Sequence, residues 1–569
     1  MGCEMPPQTY QHSGRPARAT RFLRGVFLCA CILAVPARSQ EARTPAEPGE
    51  IPILAFRAAR VPGEDIVRLQ GDVAAWLHVD GDRMRSANTQ VINPFPKDGR
   101  HYAVIRDLEG TARVHVSMQP YPSEDYELRV SINGSTRTIP GGLSFNVVAA
   151  PIKKAPHHFN VVVITLDTLR ADRLGCYGYE RPVSRNLDAF AKQCVRFTNA
   201  FSTSSFTPPA HASLLTSQYV QAHRLLTWGV LANERLTLAE SLQGYGYRSA
   251  ASINLFMLTD QGLGQGFEWQ QQGNQREARR IVEESLYCLR RWMDQPTFLW
   301  AHFYDIHRPY CRQGAWLNTF NENGDPEVGR VNEHYTLTPA ELKETQLTPE
   351  DLQFIADRYD AGIAYTDSQL GPLLDELSTP MHRENTLVII TADHGEVLLE
   401  RNQSFFDHDP YLYREVAHIP LLIRFPGCRG AGQTRDEIVS LIDVAPTVLS
   451  VLEIPPPDSY QGVSLLPLLD GKALPREQVF LECWGKAMLK AVRTREGMVL
   501  DDLVAGNRKF FDVVQDPAER TPLPVPNTES AQRLQAKLDA FLENEGARAE
   551  PEALPPGMLQ ELEALGYLE

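Results

Sequence analysis

Two β-branched runs constrain this chain more than any other feature: NVVVITLD (160–167) and NTLVIITAD (385–393), each almost continuously apolar and each ending in an aspartate. Runs of that length without alternation are buried on both faces, the situation of a strand inside a parallel sheet. The acids, Asp167 and Asp393, then fall at carboxyl ends of strands, where open α/β sheets hold their ligands. RSAASIN (248–254), PTFLWAHFYD (296–305) and IPLLIRFP (419–426) read as further strands. Helical periodicity separates them in RNLDAFAKQ (185–193), 275–293 and 352–377. This alternation predicts an α/β layer fold with a mainly parallel central sheet over residues 155–470.

At 569 residues the chain exceeds one compact core. Arg15, Arg18, Arg21 and Arg24 precede the apolar run VFLCACILAV (26–35) and the small-residue site Ala37-Arg-Ser39, which reads as a signal peptide over 1–39. That expectation makes the protein exported, to a periplasm or the extracellular space, with no stable membrane span after cleavage; an uncleaved anchor is the alternative. A Pro/Glu linker (40–50) follows. Short alternating runs over 51–150, such as ARVHVSM (112–118), predict a small all-β domain, read as a sandwich. Residues 471–569 read as a C-terminal α+β subdomain and tail, with strands at 487–494 and 509–514 and a helix at 529–545. A formal charge of −15 argues against a nucleic-acid partner. Six cysteines lie beyond the leader with no CxxC pair, which excludes a clustered zinc knuckle. Asn133-Gly-Ser135 and Asn402-Gln-Ser404 fit glycosylation sequons.

Chemistry-bearing residues gather in three segments. Asp167, and Asp393-His394 followed by a turn-permitting Gly395, bring two acids and an imidazole to sheet ends. Oxygen ligands suit calcium or magnesium, and the imidazole shifts preference toward zinc or manganese. SFTPPAHASLLTS (205–217) sets Thr207 at a proline-stiffened helix start, whose free N–H groups favour an anion. By itself Thr207 reads as a helix N-cap.

The motifs together resemble the sulfatase family of the alkaline-phosphatase superfamily over residues 158–520. They are LDTLRADRLGCYGY (166–179), TPPAHASLLTS (207–217), FLWAHFYDIHRPY (298–310), TADHGE (391–396) and HDPYLYREVAHIPLLIRFPG (408–427). VSLIDVAPTVLSVL (439–452), QGVSLLPLLDG (461–471) and KFFDVVQDPAE (509–519) continue the series. The resemblance implies a three-layer sandwich preceded by the all-β domain. It makes Asp167, Asp393 and His394 ligands of one divalent metal ion, with Thr207 at the nucleophile position and a further ligand. It places His211 where classical members carry the Arg of Cys/Ser-x-Pro-x-Arg. His307 stands where the family has a His touching the ester or leaving group, and His408 where relatives bind the anionic group. His302 reads instead as a satisfied core histidine.

Three departures bear on function. Classical sulfatases mature a Cys or Ser to formylglycine, and Thr207 offers only a secondary alcohol. The paired acids after the first strand are reduced to Asp167-Thr168. A Gly-Lys-Trp-His segment is replaced by 244–269, which carries no Lys. An activated threonine suits phosphorus better than sulfur, because a sulfo-threonine lacks the geminal oxygen that expels sulfate. The expectation is therefore a metal-dependent hydrolase of anionic esters, phospho- ahead of sulfo-, whose substrate is free or glycan- or lipid-linked. The alternatives are a catalytically silent glycan- or anion-binding homologue and a phosphoryl-head-group transferase.

Overall fold

The computed structural model describes residues 156–543 except for short loop stretches, chiefly 311–315, 321–348 and 402–407, together with the strands between Arg57 and Pro151. The expected signal peptide, linker, C-terminal tail, Cys311 and the sequon at Asn402 lie outside the described residues.

The chain's apolar runs become an eight-stranded sheet: β1 Asn160–Leu166, β2 Val195–Phe201, β3 Arg248–Ile253, β4 Trp269–Gln271, β5 Thr297–Phe303, β6 Thr386–Thr391, β7 His418–Arg424 and β8 Thr434–Ser440. Their order is β4-β3-β5-β1-β6-β7-β2-β8. β1 runs parallel to both β5 and β6, whereas β7 lies antiparallel to β6 and β2. Every residue of β1, β5, β6 and β7 is buried, so the sheet is covered on both faces. The expected strands all form. β2, β4 and β8 were not legible, because β4 has three residues, and β2 and β8 interrupt their apolar text with half-buried or exposed polar residues.

Helices α1 Arg185–Ala191, α2 Thr207–Thr216, α3 Ala278–Arg291, α4 Pro349–Leu377 and α5 Val444–Val451 form the outer layers. α4 packs on α1 and α3, while α2 packs on α5. Beyond them, four antiparallel strands between Val479 and Asp512 pack against helix α6, Glu529–Glu543. Between Arg57 and Pro151 ten strands form an eight-stranded sheet and a separate hairpin. Among the described residues no helix is long and apolar enough to cross a membrane. Among the described residues Cys176, Cys194, Cys288 and Cys428 are unbridged thiols.

The loops leaving β1 and β6 are braced from below. Tyr359 of α4 donates its hydroxyl to the Thr168 carbonyl (2.7 Å) and accepts the Arg170 N–H (3.0 Å). The Arg170 guanidinium bonds Asp172 (2.7 and 2.9 Å), the Glu396 carbonyl (3.0 Å) and Glu400 (2.5 Å), tying the β1 loop to the β6 loop. Gly395 is required here by close approach rather than by a left-handed turn. A Cβ at that position would lie 2.2 Å from the Glu415 carbonyl oxygen. Gly395→Ala is therefore expected to cost about 1–3 kcal/mol, seen as a lowered thermal midpoint. An unchanged midpoint would mean that the Glu415 segment yields freely.

Two histidines remote from this edge set a pH dependence. Burial, reinforced by Arg235 at His223 and by Arg414 at His418, pushes both imidazoles down to about 3. Both are neutral when folded, whereas an unfolded histidine titrates near ~6.5. Their stabilisation is complete above that pH and is lost as pH falls toward the folded values. His418→Asn is expected to reduce the destabilisation between pH 7 and pH 5 by roughly 2 kcal/mol relative to wild type, from about 1.36 kcal/mol per unit over the window below ~6.5. Denaturant titration at the two pH values measures it, and parallel curves for the two proteins would contradict it.

Candidate metal and ester site

Asp167 leaves the end of β1 with its N–H bonded to the Phe303 carbonyl of β5 (2.8 Å), and Asp393 follows the end of the neighbouring β6. Both are fully buried. Together with His394 they form a group whose ligating atoms all lie within 4.8 Å of one another. Asp393 Oδ1 accepts the N–H groups of Thr168 (3.2 Å) and His394 (2.9 Å). Among the described residues its Oδ2 has no hydrogen-bond donor, and it lies 3.4 Å from His394 Nε2. Burial opposes the Asp393 charge, but His394, His211 and His302 around it hold the carboxyl below its ordinary range.

Thr168, where a second acid was absent, does not replace one with its side chain. Its φ of 56° turns the backbone left-handed, its hydroxyl bonds the Asp167 carbonyl (2.8 Å), and only its N–H faces the site. A β-branched residue held there stores about 1–3 kcal/mol of strain. That strain is sustained by Tyr359, which grips the same carbonyl.

Thr207 is not the helix cap that its local text suggests. Phe206 occupies the cap position without a side-chain bond, and Thr207 opens α2 with Pro208 and Pro209 in the first turn. Its hydroxyl instead reaches His394 Nε2 (3.2 Å) and Asp167 Oδ2 (3.5 Å). The side chain that sequence reasoning singled out therefore joins the acids and the histidine.

His307 and His408 form the other wall. His307 Nδ1 donates to the Arg308 carbonyl (2.5 Å) and His408 Nδ1 to the Ser205 carbonyl (2.7 Å), which turns their Nε2 atoms toward each other at 3.3 Å. The His408 ring lies 4.3 Å from that of His394. Burial, then the neighbouring His408, holds His307 well below the ordinary histidine value. Thr207, His307 and His408 retain 5–6 % exposure, while Asp167, Asp393, His394, His211 and His302 have none. A ligand reaches the first three and not the histidines beneath.

His211 belongs to the buried layer. Its Nδ1 donates to the Thr207 carbonyl (2.8 Å) and its Nε2 meets Thr165 Oγ1 (3.2 Å), so both nitrogens are taken. Burial lowers it to about 3, so it is neutral and brings no counterpart of an arginine's charge. His302 is satisfied on one side only, through Nδ1 to Thr165 (2.9 Å). Its Nε2 lies 3.2 Å from Asp167 Oδ2 without a hydrogen bond. Sequence reasoning passed over Thr165 and undervalued His302. The signal was there: each is a polar residue inside a wholly buried strand, away from Asn160 and Thr297 at the strand starts, and Thr165 shares its face with Asp167 two residues on. Asp305, beside them in sequence, faces instead the start of α3, where it accepts the Ala278 N–H (3.3 Å).

Comparison with known proteins bears on this geometry. The Sulfatase family model matches residues 159–454, and a model described as N-sulphoglucosamine sulphohydrolase, C-terminal, matches 402–547. The chain is 27% identical over 424 residues to an ulvan-active sulfatase of Formosa agariphila, covering 67% of this chain and 80% of the relative. It is 24% identical to an arylsulfatase of Clostridium perfringens, covering 64% of this chain and 90% of the relative. Among solved structures, one bound to its substrate D-glucosamine-2-N,6-O-disulfate superposes with a TM-score of 0.57 at 19% identity, covering 68% of this chain and 97% of that one. The phosphonate monoester hydrolase of Agrobacterium radiobacter gives 0.54 at 20% identity, covering 68% of this chain and 95% of that one. These two likenesses establish the three-layer α/β fold, and the family model, which takes in both Asp167 and the Asp393-His394 pair, establishes that the chain belongs to the sulfatase family.

Proposed function

We propose that the protein is an exported, metal-dependent hydrolase of anionic esters in which Thr207 is the nucleophile, with phosphoesters preferred over sulfate esters. The observation that carries this reading is the Thr207 hydroxyl, which is released from helix capping and lies 3.2 Å from His394 Nε2 and 3.5 Å from Asp167 Oδ2. Asp167, Asp393, His394 and Thr207 fit one divalent cation, calcium or zinc/manganese. Two buried carboxylates meet there, and Asp393 Oδ2 has no protein donor. Such an ion supplies positive charge that lowers the alcohol's pKa and neutralises the ester's anionic oxygens.

The chain's own groups account for the proton and the leaving group. The Thr207 proton has an acceptor in reach in Asp167 Oδ2, which keeps a lone pair beside a bound ion, whereas His394 has its Nδ1 on the Gly395 carbonyl and would hold the ion through Nε2. Attack forms the Oγ1–phosphorus bond while the bond to the leaving alcohol breaks. That alcohol takes up a proton delivered through His307 or His408, whose Nε2 atoms face each other at 3.3 Å and become a donor and an acceptor once one of the two rings is protonated. Water then hydrolyses the threonine ester and restores the hydroxyl. His211 positions Thr207 through its backbone and does not touch the substrate.

The experiment compares full-length and Thr207→Ala proteins on an aryl sulfate, a phosphate monoester, a phosphodiester and a phosphonate monoester, with bound metal measured alongside. Phosphorus substrates are expected to turn over faster, and Thr207→Ala to lose at least roughly 10³-fold in kcat. Turnover of the sulfate alone would overturn the phosphoester preference. Full activity in Thr207→Ala would remove the nucleophile. No turnover and no metal would leave an anion-binding homologue, and a labelled head group retained on an acceptor would make it a transferase.

A further inference from the structure

One buried hydroxyl joins the turn that carries Thr207 to Asp167. Thr165 precedes Asp167 by two residues on β1, so their side chains leave one face of the strand, and its register partner on β5 is His302. Three groups converge on Thr165 Oγ1: Trp300 Nε1 at 3.0 Å, His302 Nδ1 at 2.9 Å and His211 Nε2 at 3.2 Å. All four residues are fully buried.

The direction of each bond follows from one fixed end. His211 Nδ1 lies 2.8 Å from the Thr207 carbonyl oxygen, which can only accept, so this nitrogen carries the hydrogen. In the neutral ring Nε2 then accepts, and Thr165 donates to it. Thr165 Oγ1 in turn accepts the indole N–H of Trp300 and the Nδ1–H of His302. What remains is a lone pair on His302 Nε2, without a hydrogen-bond partner, 3.2 Å from Asp167 Oδ2. Two acceptors at that separation repel unless positive charge lies beside both. A network serving only to satisfy core polar groups would close on itself, whereas this one opens on Asp167.

We propose that His211, Thr165 and His302 form a positioning relay that locks Asp167 to the backbone of the Thr207 turn and reaches its relaxed state only with a cation beside Asp167. The relay rests on the reading of Asp167 as a metal ligand. It takes over the fixing of Asp167 in a chain that lacks both the second acid and an arginine at position 211. Partners of this kind typically change metal affinity by about 10–100-fold when removed.

The test uses full-length protein stripped by a chelator and titrated with Mn²⁺ by calorimetry, as wild type, Thr165→Val, Thr165→Ser and Asp167→Asn. Thr165→Val keeps the shape and deletes the hydroxyl. It is expected to weaken Mn²⁺ binding about 10–100-fold and to lower kcat with KM little changed. Thr165→Ser restores both. If Thr165→Val does not fold, His302→Asn is titrated instead, since it retains a donor toward Thr165 and deletes Nε2, and the same weakening is expected. Wild-type Mn²⁺ affinity in the folded variant, or no rescue by Thr165→Ser, overturns the relay. Absence of Mn²⁺ binding by wild type, or undiminished binding by Asp167→Asn, overturns the metal site and the relay with it. Wild-type affinity in Thr165→Val beside lost binding in Asp167→Asn overturns the relay alone.

Discussion

Two carboxylates, Asp167 and Asp393, are buried side by side at the ends of adjacent parallel strands, and the surrounding structure answers to the cost of keeping them there. An isolated buried carboxylate is prohibitively unfavourable, so each must be met by donors or by positive charge. The strained Thr168 backbone spends its N–H on Asp393. His394 supplies both a main-chain N–H and an imidazole, and Arg170 and Tyr359 hold the loops that deliver these groups. Donors from the protein do not complete the set, since Asp393 Oδ2 lacks one and His302 turns a lone pair toward Asp167. On the proposed reading a divalent cation supplies the missing positive charge, and two fully buried strands place the residues that would hold it.

The same cost separates an open side from a sealed layer. Residues at the open side, Thr207, His307 and His408, retain slight exposure. Those beneath are sealed: His211 spends both nitrogens, on Thr165 and the Thr207 carbonyl, and His302 spends Nδ1 on Thr165. A histidine in place of the family's signature arginine thus removes a charge and adds a link. Position 211 therefore offers no guanidinium to an ester's anionic oxygens, and on the proposed reading that charge falls to the cation and to the His307–His408 pair.

Much of this was legible in the sequence, for physical reasons. A parallel strand buried on both faces leaves a long apolar run, so β1, β5, β6 and β7 and the acids at the ends of β1 and β6 could be placed directly. Edge strands such as β4 and β8 bury one face or less and leave no such mark. For Thr207 the local text favours a cap, and only its tertiary neighbours show the hydroxyl turned to His394. The relay was invisible, because hydrogen-bond partnerships across β1, β5 and α2 join residues 165, 211 and 302, which no local pattern connects. Gly395 illustrates the same limit, since its need comes from the Glu415 carbonyl of a distant segment.

The central claim is that Thr207 forms a covalent ester during turnover. The most direct measurement is mass spectrometry of full-length protein, loaded with metal and acid-quenched during turnover of a phosphodiester. A phosphoryl adduct on the Thr207 peptide, absent from Thr207→Ala, is the predicted result. Sustained turnover with no adduct on that peptide, or with an adduct on another residue, would contradict it.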